Sequence, residues 1–289
     1  MLFNDFDEPN DNDNNEEEVP KLEFLDYGDY RKLMNMDPEE KKTMKLPEVK
    51  HPLDVVKFAT NKHNIKVKPA MEQLIIPCHP CSCIINGKSG SGKTTLLMNL
   101  VTRPEFFADY FDITFFFSPT AESDDLAEYL GIEKKRIITD DFENKLEHIF
   151  KVQDGLIKRK TIEKAPKILL IYDDMQSDAR FMKSKAFLRS FIANRHSNIT
   201  TIFLSQSFTR LPRVCRLQAS NIMIYPASQS EIELICDEFC PPHTTKKDFM
   251  KLIKHATADN YNFLHINMKA PPEQRFRKNL NTYLTLKNI

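Results

Sequence analysis

Residues 87–94 read GKSGSGKT and match the phosphate-binding loop pattern G-x-x-x-x-G-K-[ST] at every fixed position. Half of the six glycines of the chain lie here, where glycine lets successive backbone N–H groups point into one concavity that holds phosphate oxygens. The pattern predicts that Lys93 reaches the β- and γ-phosphates and that the Thr94 hydroxyl binds Mg²⁺. The predicted nucleotide-binding residues are Gly87, Lys88, Ser89, Gly90, Ser91, Gly92, Lys93, Thr94 and Thr95.

The residues around this loop favour a strand before it and a helix after it. Residues 81–85 form a short apolar run that is typical of a buried strand, and residues 94–101 have the spacing of a helix. The N-terminus of that helix would face the phosphates and favour their negative charge. A chance match in an ordinary loop is the alternative, and the order of strand, loop and helix argues against it. The sequence therefore predicts a nucleotide site.

A second chemical landmark is the apolar run at residues 168–172, which is followed directly by Asp173 and Asp174. A buried strand of this kind delivers its carboxylates at the carboxyl edge of an α/β sheet, where nucleotides bind. Asp173 is predicted to hold Mg²⁺, and Asp174 is predicted to orient or deprotonate the attacking water. An ordinary turn at the strand end is the alternative, because Asp is common there. The phosphate-binding loop upstream favours the catalytic interpretation.

Residues 199–205 are typical of another buried strand, which ends in the polar pair Ser205-Gln206. A strand in this position would place the Gln206 amide beside the γ-phosphate and the attacking water, where it could sense or position them. Gln206 is therefore a candidate catalytic residue.

The order of predicted elements indicates an α/β fold with a mostly parallel central sheet flanked by helices. The predicted strands in and after the loop region are residues 81–85, 112–118, 168–172, 199–205, 221–225 and 261–266. The predicted helices after the loop helix are residues 140–156, 177–195, 228–239 and 246–255. Residues 65–68 and 73–76 also have strand patterns and predict a small sheet that leads into the central one.

Composition suggests four segments. Residues 1–20 hold eight Asp and Glu but no Lys or Arg, so we expect a disordered acidic tail. Residues 21–64 are predicted to be an N-terminal extension, residues 65–268 the ATPase core, and residues 269–289 a basic C-terminal extension. The net charge of zero therefore hides a basic body. Such a body suits a polyanionic partner, although ordinary charge scatter would look the same.

Membrane and redox signals are also informative. The chain has no run of 18 apolar residues and begins with acidic residues, so we expect neither a transmembrane helix nor a secretory signal. The six cysteines suggest reduced thiols of the cytosol or nucleus. A zinc site is one interpretation of two groups: the cysteines at 78, 81 and 83, and the cysteines at 236 and 240 together with His243. Their spacing lacks the paired knuckles of a structural zinc site and favours buried free thiols.

Two stretches of the chain are rich in basic residues. One contains Arg195, Arg210, Arg213 and Arg216 without an intervening acid, and the other is residues 246–289, with nine basic and three acidic side chains. Either stretch could line a path for nucleic-acid phosphates. An arginine near a nucleotide site could also act as a finger supplied across a subunit boundary. A solvated basic face is the alternative for both.

In these motifs and their order, the chain resembles the viral genome-packaging ATPases of the HerA–FtsK superfamily. It is most similar to the poxvirus-type and giant-virus packaging ATPases, a branch shared with virophages and polinton-like elements. The resemblance covers residues 65–268 and is carried by residues 84–94, 115–120, 170–174, 195–206 and 261–266. The order of strand, Arg, strand and Gln is more specific than the loop alone.

The resemblance implies a RecA-like P-loop domain that binds ATP and Mg²⁺ and assembles into a homo-oligomeric ring, suspected to be a hexamer. Such a ring would translocate double-stranded DNA into a preformed capsid and contact a capsid or vertex protein. The expected location is the host cytoplasm or viral factory, with virion association as a further expectation. The resemblance assigns the sensor role to Gln206 and a trans-acting finger to Arg195, with Arg210 and Arg213 as weaker candidates.

One departure from the family pattern is the pair Asp173-Asp174, because many superfamily members have Asp-Glu there. The shorter Asp174 side chain changes the reach to a water and so bears on the rate of hydrolysis. Two other functions are compatible with the loop: another helicase-like or kinase-like P-loop enzyme, and a nucleotide-gated scaffold without turnover. The absence of a Gly-Gly pair argues against an ABC-type module, and the polar groups at Asp173, Asp174 and Gln206 argue against a pure binder.

Overall fold

The computed structural model describes residues 68–72, 75–76, 78–123 and 126–285. Within these residues, nine strands form one sheet. In chain order the strands are β1 Ser82–Asn86, β2 Ile113–Phe117, β3 Ile137–Ile138, β4 Ile168–Tyr172, β5 Ile199–Ser205, β6 Asn221–Ile224, β7 Leu264–Asn267, β8 Phe276–Lys278 and β9 Thr282–Tyr283. Their spatial order is β3-β2-β4-β5-β1-β6-β7-β8-β9.

The sheet is mostly parallel. Strands β1 to β6 pair in parallel with their neighbours, and β7, β8 and β9 add to the β6 side in antiparallel orientation. The carboxyl ends of the six parallel strands therefore meet at one edge of the sheet. Strand β1 lies at the centre, between β5 and β6, so the loop that leaves it emerges in the middle of that edge. The predicted α/β class with a mostly parallel sheet is confirmed.

Helices cover both faces of the sheet. In chain order they are α1 Pro69–Glu72, α2 Lys93–Thr102, α3 Leu126–Tyr129, α4 Phe142–Lys160, α5 Lys185–Ile192, α6 Arg213–Gln218, α7 Gln229–Phe239 and α8 Lys246–Ala256. Alternate residues of each buried strand point to opposite faces. In β4, Leu170 and Tyr172 join the core on one face, while Leu169 and Ile171 join the core on the other. This double coverage explains the continuous apolar runs in the sequence.

Two predicted elements differ in extent. The helix predicted over residues 177–195 is α-helical only in α5, and 3₁₀ turns lie on both sides of it. The Asp178 side chain accepts the backbone N–H groups of Arg180 and Phe181, and such local bonds compete with a continuous helix. The late strand begins at Leu264 rather than at Tyr261, because Tyr261 has a positive φ of 64° that interrupts an extended chain.

The small leading sheet predicted before β1 is wrong where the structure describes it. Residues 69–72 form the short helix α1, and Ile75 and Ile76 lie in a bend whose backbone N–H groups both donate to the carbonyl of Ala70. Residues 65–67 and 73–74 lie outside the described residues. So do the predicted acidic tail, residues 1–20, and the predicted extension, residues 21–64.

The segment predicted as a basic C-terminal extension adds β8 and β9 to the edge of the sheet, up to residue 285. Four of the cysteines are buried free thiols: Cys81, Cys83, Cys215 and Cys236. Cys78 is exposed and Cys240 is half-buried. Among the described residues, no helix is both long enough and apolar enough to cross a membrane.

Candidate nucleotide-binding and hydrolysis site

The phosphate-binding loop connects β1 to α2 and begins at a glycine that has no room for a side chain. A Cβ on Gly87 would lie 2.5 Å from Oγ of Ser91 and 2.8 Å from Cβ of Tyr225. Two further glycines of the loop, Gly90 and Gly92, have positive φ values of 74° and 101°, which glycine adopts at little cost. The sequence therefore dictates this backbone path, and α2 begins directly after it.

The accessibility of the loop fits an anion site. The residues that are exposed and can contact a ligand are Lys88, Ser89, Gly90, Thr94 and Thr95. Lys93 is buried and donates a 3.0 Å hydrogen bond from Nζ to the carbonyl of Lys88. Burial lowers the pKa of Lys93, while the charges of Asp173 and Asp174 oppose this by raising it. Both carboxylates therefore lie close enough to Lys93 to act on its charge.

The two aspartates follow β4 at the carboxyl edge, as predicted. The backbone N–H of Asp173 donates to the carbonyl of Phe117 on the neighbouring β2, at 2.9 Å, and this continues the ladder by one residue. Asp174 has a left-handed backbone with φ 51°, and its N–H donates to Oδ1 of Asp173 at 3.1 Å. The left-handed turn at Asp174 therefore gives the two carboxylates different backbone settings. Both aspartates are half-buried.

Gln206 follows β5 at the same edge and is exposed. Its Nε2 donates a 2.6 Å hydrogen bond to Oδ1 of Asp174. The structure thus brings together two predicted catalytic residues from neighbouring strands. With the amide nitrogen committed to Asp174, the amide oxygen and the carboxylate supply the acceptors that can position an attacking water.

A third polar side chain, which sequence reasoning missed, fixes this arrangement. Gln176 lies in the 3₁₀ turn Met175–Ser177 after the aspartates. Its Oε1 accepts the N–H groups of Gln206, at 2.9 Å, and Ser207, at 3.1 Å. Its Nε2 donates to Oγ of Ser205, at 2.9 Å, and to the carbonyl of Ser207, at 2.6 Å. Gln176 therefore clamps the end of β5 to the turn after β4.

Two aromatic rings that the sequence did not single out lie on the other side of the loop. Tyr225 follows β6, is buried, and donates a 3.2 Å hydrogen bond from its hydroxyl to the carbonyl of Gly92. The ring of Tyr261, in the loop before β7, lies 3.4 Å from the position that a Cβ on Gly92 would occupy, and Tyr261 is 70% exposed. Both tyrosines fall in strands predicted from the sequence, residues 221–225 and 261–266, and no sequence pattern indicates a role for either at the nucleotide site.

The structure does not bring Arg195 to the site of its own subunit. Arg195 is exposed in the turn that precedes β5, whereas Gln206 follows β5. The seven residues of β5 place the two ends of the strand about 20 Å apart. Arg195 therefore lies at the amino edge of the sheet, opposite the phosphate-binding loop.

The other arginines of that basic stretch follow β5 and differ in environment. Arg210 is exposed, and Arg213 is exposed with a 3.7 Å contact to the carboxylate of Glu238. Arg216 is buried and donates to the same carboxylate from Nη2 at 2.7 Å. Arg216 thus belongs to the core, and the other three arginines of this basic stretch are exposed.

The donor set at the site fits Mg²⁺. Thr94 presents an exposed hydroxyl at the start of α2, and Asp173 presents a carboxylate at the end of β4. Mg²⁺ prefers oxygen ligands and is typically held by one or two protein groups together with water and substrate phosphates. In the described part of the chain, no group of three or more His, Cys, Asp or Glu could hold a metal ion by itself.

Solved structures with a similar fold include viral and bacterial ATPases. The DNA-packaging ATPase B204 from Sulfolobus turreted icosahedral virus has a TM-score of 0.51 and 17% identity, and the match covers 71% of this chain and 98% of B204. B204 from Sulfolobus turreted icosahedral virus 2 in complex with ATP-gammaS has a TM-score of 0.48 and 16% identity, covering 68% of this chain and 95% of B204. EssC (ATPases 2 and 3) from Geobacillus thermodenitrificans has a TM-score of 0.44 and 14% identity, and the match covers 71% of this chain and 39% of the EssC chain.

At these identities the solved structures show the fold, and the first of them agrees with the predicted P-loop architecture. No protein with a curated description matches the sequence. The family model described as Poxvirus A32 protein matches residues 72–270, a range that contains the phosphate-binding loop, both aspartates and Gln206. This match confirms the resemblance to the poxvirus-type branch, and the chain belongs to the poxvirus A32 protein family.

Proposed function

We propose that this P-loop ATPase couples ATP hydrolysis to the translocation of double-stranded DNA into a viral capsid. The observation that carries the proposal is the family match, because it spans every element of the nucleotide site. The fold shared with B204, a DNA-packaging ATPase, supports the same proposal. The bound nucleotide would be ATP with Mg²⁺.

The proposed binding mode assigns each loop residue a role. The loop N–H groups would hold the β- and γ-phosphates. The ammonium group of Lys93 would lie beside them, oriented by its hydrogen bond to the Lys88 carbonyl. Thr94 and Asp173 would hold Mg²⁺, which supplies charge neutralisation on the phosphate oxygens when it is bound. These roles account for the fixed positions of the sequence pattern.

Hydrolysis needs a water held in line with the γ-phosphorus, and Asp174 and Gln206 are the proposed residues for this step. The water oxygen would attack the γ-phosphorus as the bond to the β-phosphate oxygen breaks, releasing ADP and inorganic phosphate. Asp174 would accept the water proton or orient the water, and Gln206 would contribute its amide oxygen. Gln176 would keep Gln206 in register with Asp174.

We propose that Arg195 reaches the nucleotide site of a neighbouring subunit in a homo-oligomeric ring, and that this ring is a hexamer. The position of Arg195 at the amino edge is too far from the nucleotide site of its own chain, and an exposed guanidinium is available to a neighbour. A guanidinium supplied in this way stabilises the charge that develops on the transferred phosphoryl group. Hydrolysis would then depend on ring assembly.

The proposed DNA path uses exposed arginines rather than the C-terminal basic cluster. Several lysines of that cluster already form ion pairs: Lys246 with Asp237, Lys251 with Asp248, and Lys278 with Asp259. Arg277 of the same cluster is buried. Arg210 is exposed near the carboxyl edge, and Arg213 is exposed there with a longer, 3.7 Å contact to Glu238, so these two are better placed to contact DNA phosphates. A capsid or vertex protein and a location in the host cytoplasm, viral factory or virion complete the proposal.

The proposal is tested by steady-state ATP hydrolysis at low salt, with and without long double-stranded DNA. We expect a several-fold stimulation by DNA that fades as salt rises, because counterion release makes phosphate contacts salt-dependent. The variant Lys93→Ala, which lacks the ammonium group at the phosphates, should show no turnover with DNA present or absent, while its thermal unfolding stays cooperative.

Three results would count against parts of the proposal. Turnover that is indifferent to DNA favours a kinase-like or other small-substrate enzyme on the same fold. ATP binding without turnover favours a nucleotide-gated scaffold. Full turnover by Lys93→Ala contradicts the assignment of the nucleotide site itself.

A further inference from the structure

The order of strands, combined with the proposed roles of Asp174 and Gln206, indicates how a nucleotide would lie across the loop. Strands β4 and β5, which carry Asp174 and Gln206, lie on one side of β1, and β6 and β7 lie on the other. In the proposed mechanism the γ-phosphate lies beside Asp174 and Gln206. The nucleobase, at the opposite end of the molecule, would then leave the loop toward β6 and β7.

Aromatic rings meet the loop on that side. Tyr225 follows β6, and its hydroxyl donates to the Gly92 carbonyl. The exposed ring of Tyr261 lies against Gly92 from the loop before β7. Phe263 packs against Tyr225, with the two ring centroids 5.2 Å apart. These side chains give this side of the loop an aromatic surface, and Tyr261 exposes its ring to solvent there.

The loop that carries Tyr261 is held by side-chain hydrogen bonds. Asn279 accepts the Phe263 N–H at Oδ1 and donates from Nδ2 to Oδ1 of Asn262, at 3.1 and 2.8 Å. Asn262 in turn donates to Asp259 at 2.9 Å, and Lys278 donates to the same carboxylate oxygen at 2.9 Å. These bonds anchor the loop to the edge of the sheet on both sides of Tyr261. The ring is therefore presented from a fixed backbone.

We propose that the exposed ring of Tyr261 is the stacking surface for the nucleobase of the bound nucleotide. The inference deepens the proposed function and depends on it, because it concerns the same nucleotide site. Stacking on an aromatic face is favourable for every base, since every base has a π-face. Tyr261 would therefore contribute affinity for the base without choosing between ATP and GTP, and the tyrosine hydroxyl would be dispensable.

The test compares two ligands that differ by the presence of a base. Titration calorimetry on the full chain measures the dissociation constants of ADP and of inorganic tripolyphosphate, which fills the loop but has no base. The variants are Tyr261→Ala and Tyr261→Phe, and Tyr129→Ala, at an exposed tyrosine on α3, is the matched control. We expect Tyr261→Ala to weaken ADP binding about 10-fold, while Tyr261→Phe and Tyr129→Ala bind ADP within about twofold of the unmodified chain.

The same titrations separate failure of this inference from failure of the nucleotide site. Tripolyphosphate binding should be unchanged in Tyr261→Ala. Equal ADP affinity in the unmodified chain and Tyr261→Ala would overturn the stacking role alone. So would an equal loss of ADP and tripolyphosphate, because it would mean that the ring supports the loop rather than the base. If the unmodified chain bound neither ligand, the nucleotide site and the inference would both be wrong.

Discussion

The side-chain amide of Gln206 donates a 2.6 Å hydrogen bond to the carboxylate of Asp174, a residue 32 positions away in the sequence. The two lie at the ends of adjacent parallel strands, so the sheet itself sets their separation. A bond of this length between an amide and a carboxylate restricts both side chains to one arrangement. In the proposed mechanism this arrangement positions the attacking water.

Removal of the Gln206 amide should slow hydrolysis more than it weakens binding. We expect Gln206→Ala to lower kcat for ATP by about 10²-fold, because the water loses one of its two positioning groups. The KM for ATP should change little, since the loop that holds the phosphates is intact. Gln218→Ala, at an exposed glutamine that ends α6, is the matched control and should keep normal turnover. An unchanged kcat for Gln206→Ala would contradict a catalytic role.

Gln176 should behave as a positioning residue. Gln176→Ala leaves the N–H groups of Gln206 and Ser207 without their side-chain acceptor, and an unpaired group of this kind costs about 1–3 kcal/mol where it is shielded from water. We expect kcat to fall about tenfold, with unchanged ADP affinity by calorimetry, because Gln206 loses its alignment and the loop does not. A drop in stability with normal kcat would show that the clamp is only structural.

Arg195 should act on a neighbouring subunit. Its turn is anchored by Arg189, which donates from Nη2 to the Asp154 carboxylate at 2.7 Å and to Oγ of Ser197 at 3.2 Å. We expect Arg195→Ala to lose about 10³-fold in rate, as fingers typically do. Mixing it with Asp174→Asn protein should restore activity, because some sites then combine an intact Asp174 with an intact Arg195.

The mixing experiment has its own control. Arg159→Ala, at an exposed arginine in the last turn of α4, should hydrolyse ATP normally on its own. An Arg195→Ala protein that is inactive alone and gains nothing from the Asp174→Asn partner would contradict action between subunits.

His79 should make the stability of the fold depend on pH. Its Nδ1 and Nε2 each lie 2.8 Å from a partner, Thr200 Oγ1 and Asn198 Oδ1. Burial lowers the pKa of His79 to about 4, and the charge of Lys167 also lowers it. In the unfolded chain the His79 pKa is about 6.5. Between about pH 4 and pH 6.5 the unfolded chain therefore binds a proton at His79, and the folded chain does not. Stability should therefore rise with pH from about 4 to 6.5.

Urea unfolding at several pH values measures this contribution. His79→Gln keeps an amide in place of the ring but cannot titrate, so it should lose less stability than the unmodified chain on going from neutral pH to pH 5, by about 2 kcal/mol. His196→Gln, at an exposed histidine, should leave the pH dependence unchanged. An equal pH dependence for His79→Gln and the unmodified chain would refute the contribution.

Much of the sheet and the loop could be predicted because their signals are local. The apolar run that becomes β4 is buried on both faces, and the glycine at position 87 is required by close contacts that any side chain would violate. The aspartates and Gln206 were predictable because each follows a segment with the pattern of a buried strand. The hydrogen bond between Asp174 and Gln206 could not be predicted, because it depends on the pairing of β4 with β5, and no local sequence pattern encodes that pairing.

The residues that sequence reasoning missed act through long-range contacts. Gln176 resembles any polar residue in a turn until β5 is placed beside it. Tyr225 and Tyr261 are separated widely in sequence from the loop, and only the sheet order brings them to Gly92. The short antiparallel strands β8 and β9 lack a clear pattern, since two or three residues cannot establish an alternation.

The most direct measurement of the central proposal is displacement of a third strand from a DNA triplex. A motor that moves along double-stranded DNA strips a triplex-forming oligonucleotide from its path, and release of the labelled strand reports movement rather than binding. We predict displacement by the unmodified protein that requires ATP and is absent in Lys93→Ala. DNA-stimulated ATP hydrolysis with the triplex left intact would contradict translocation along DNA.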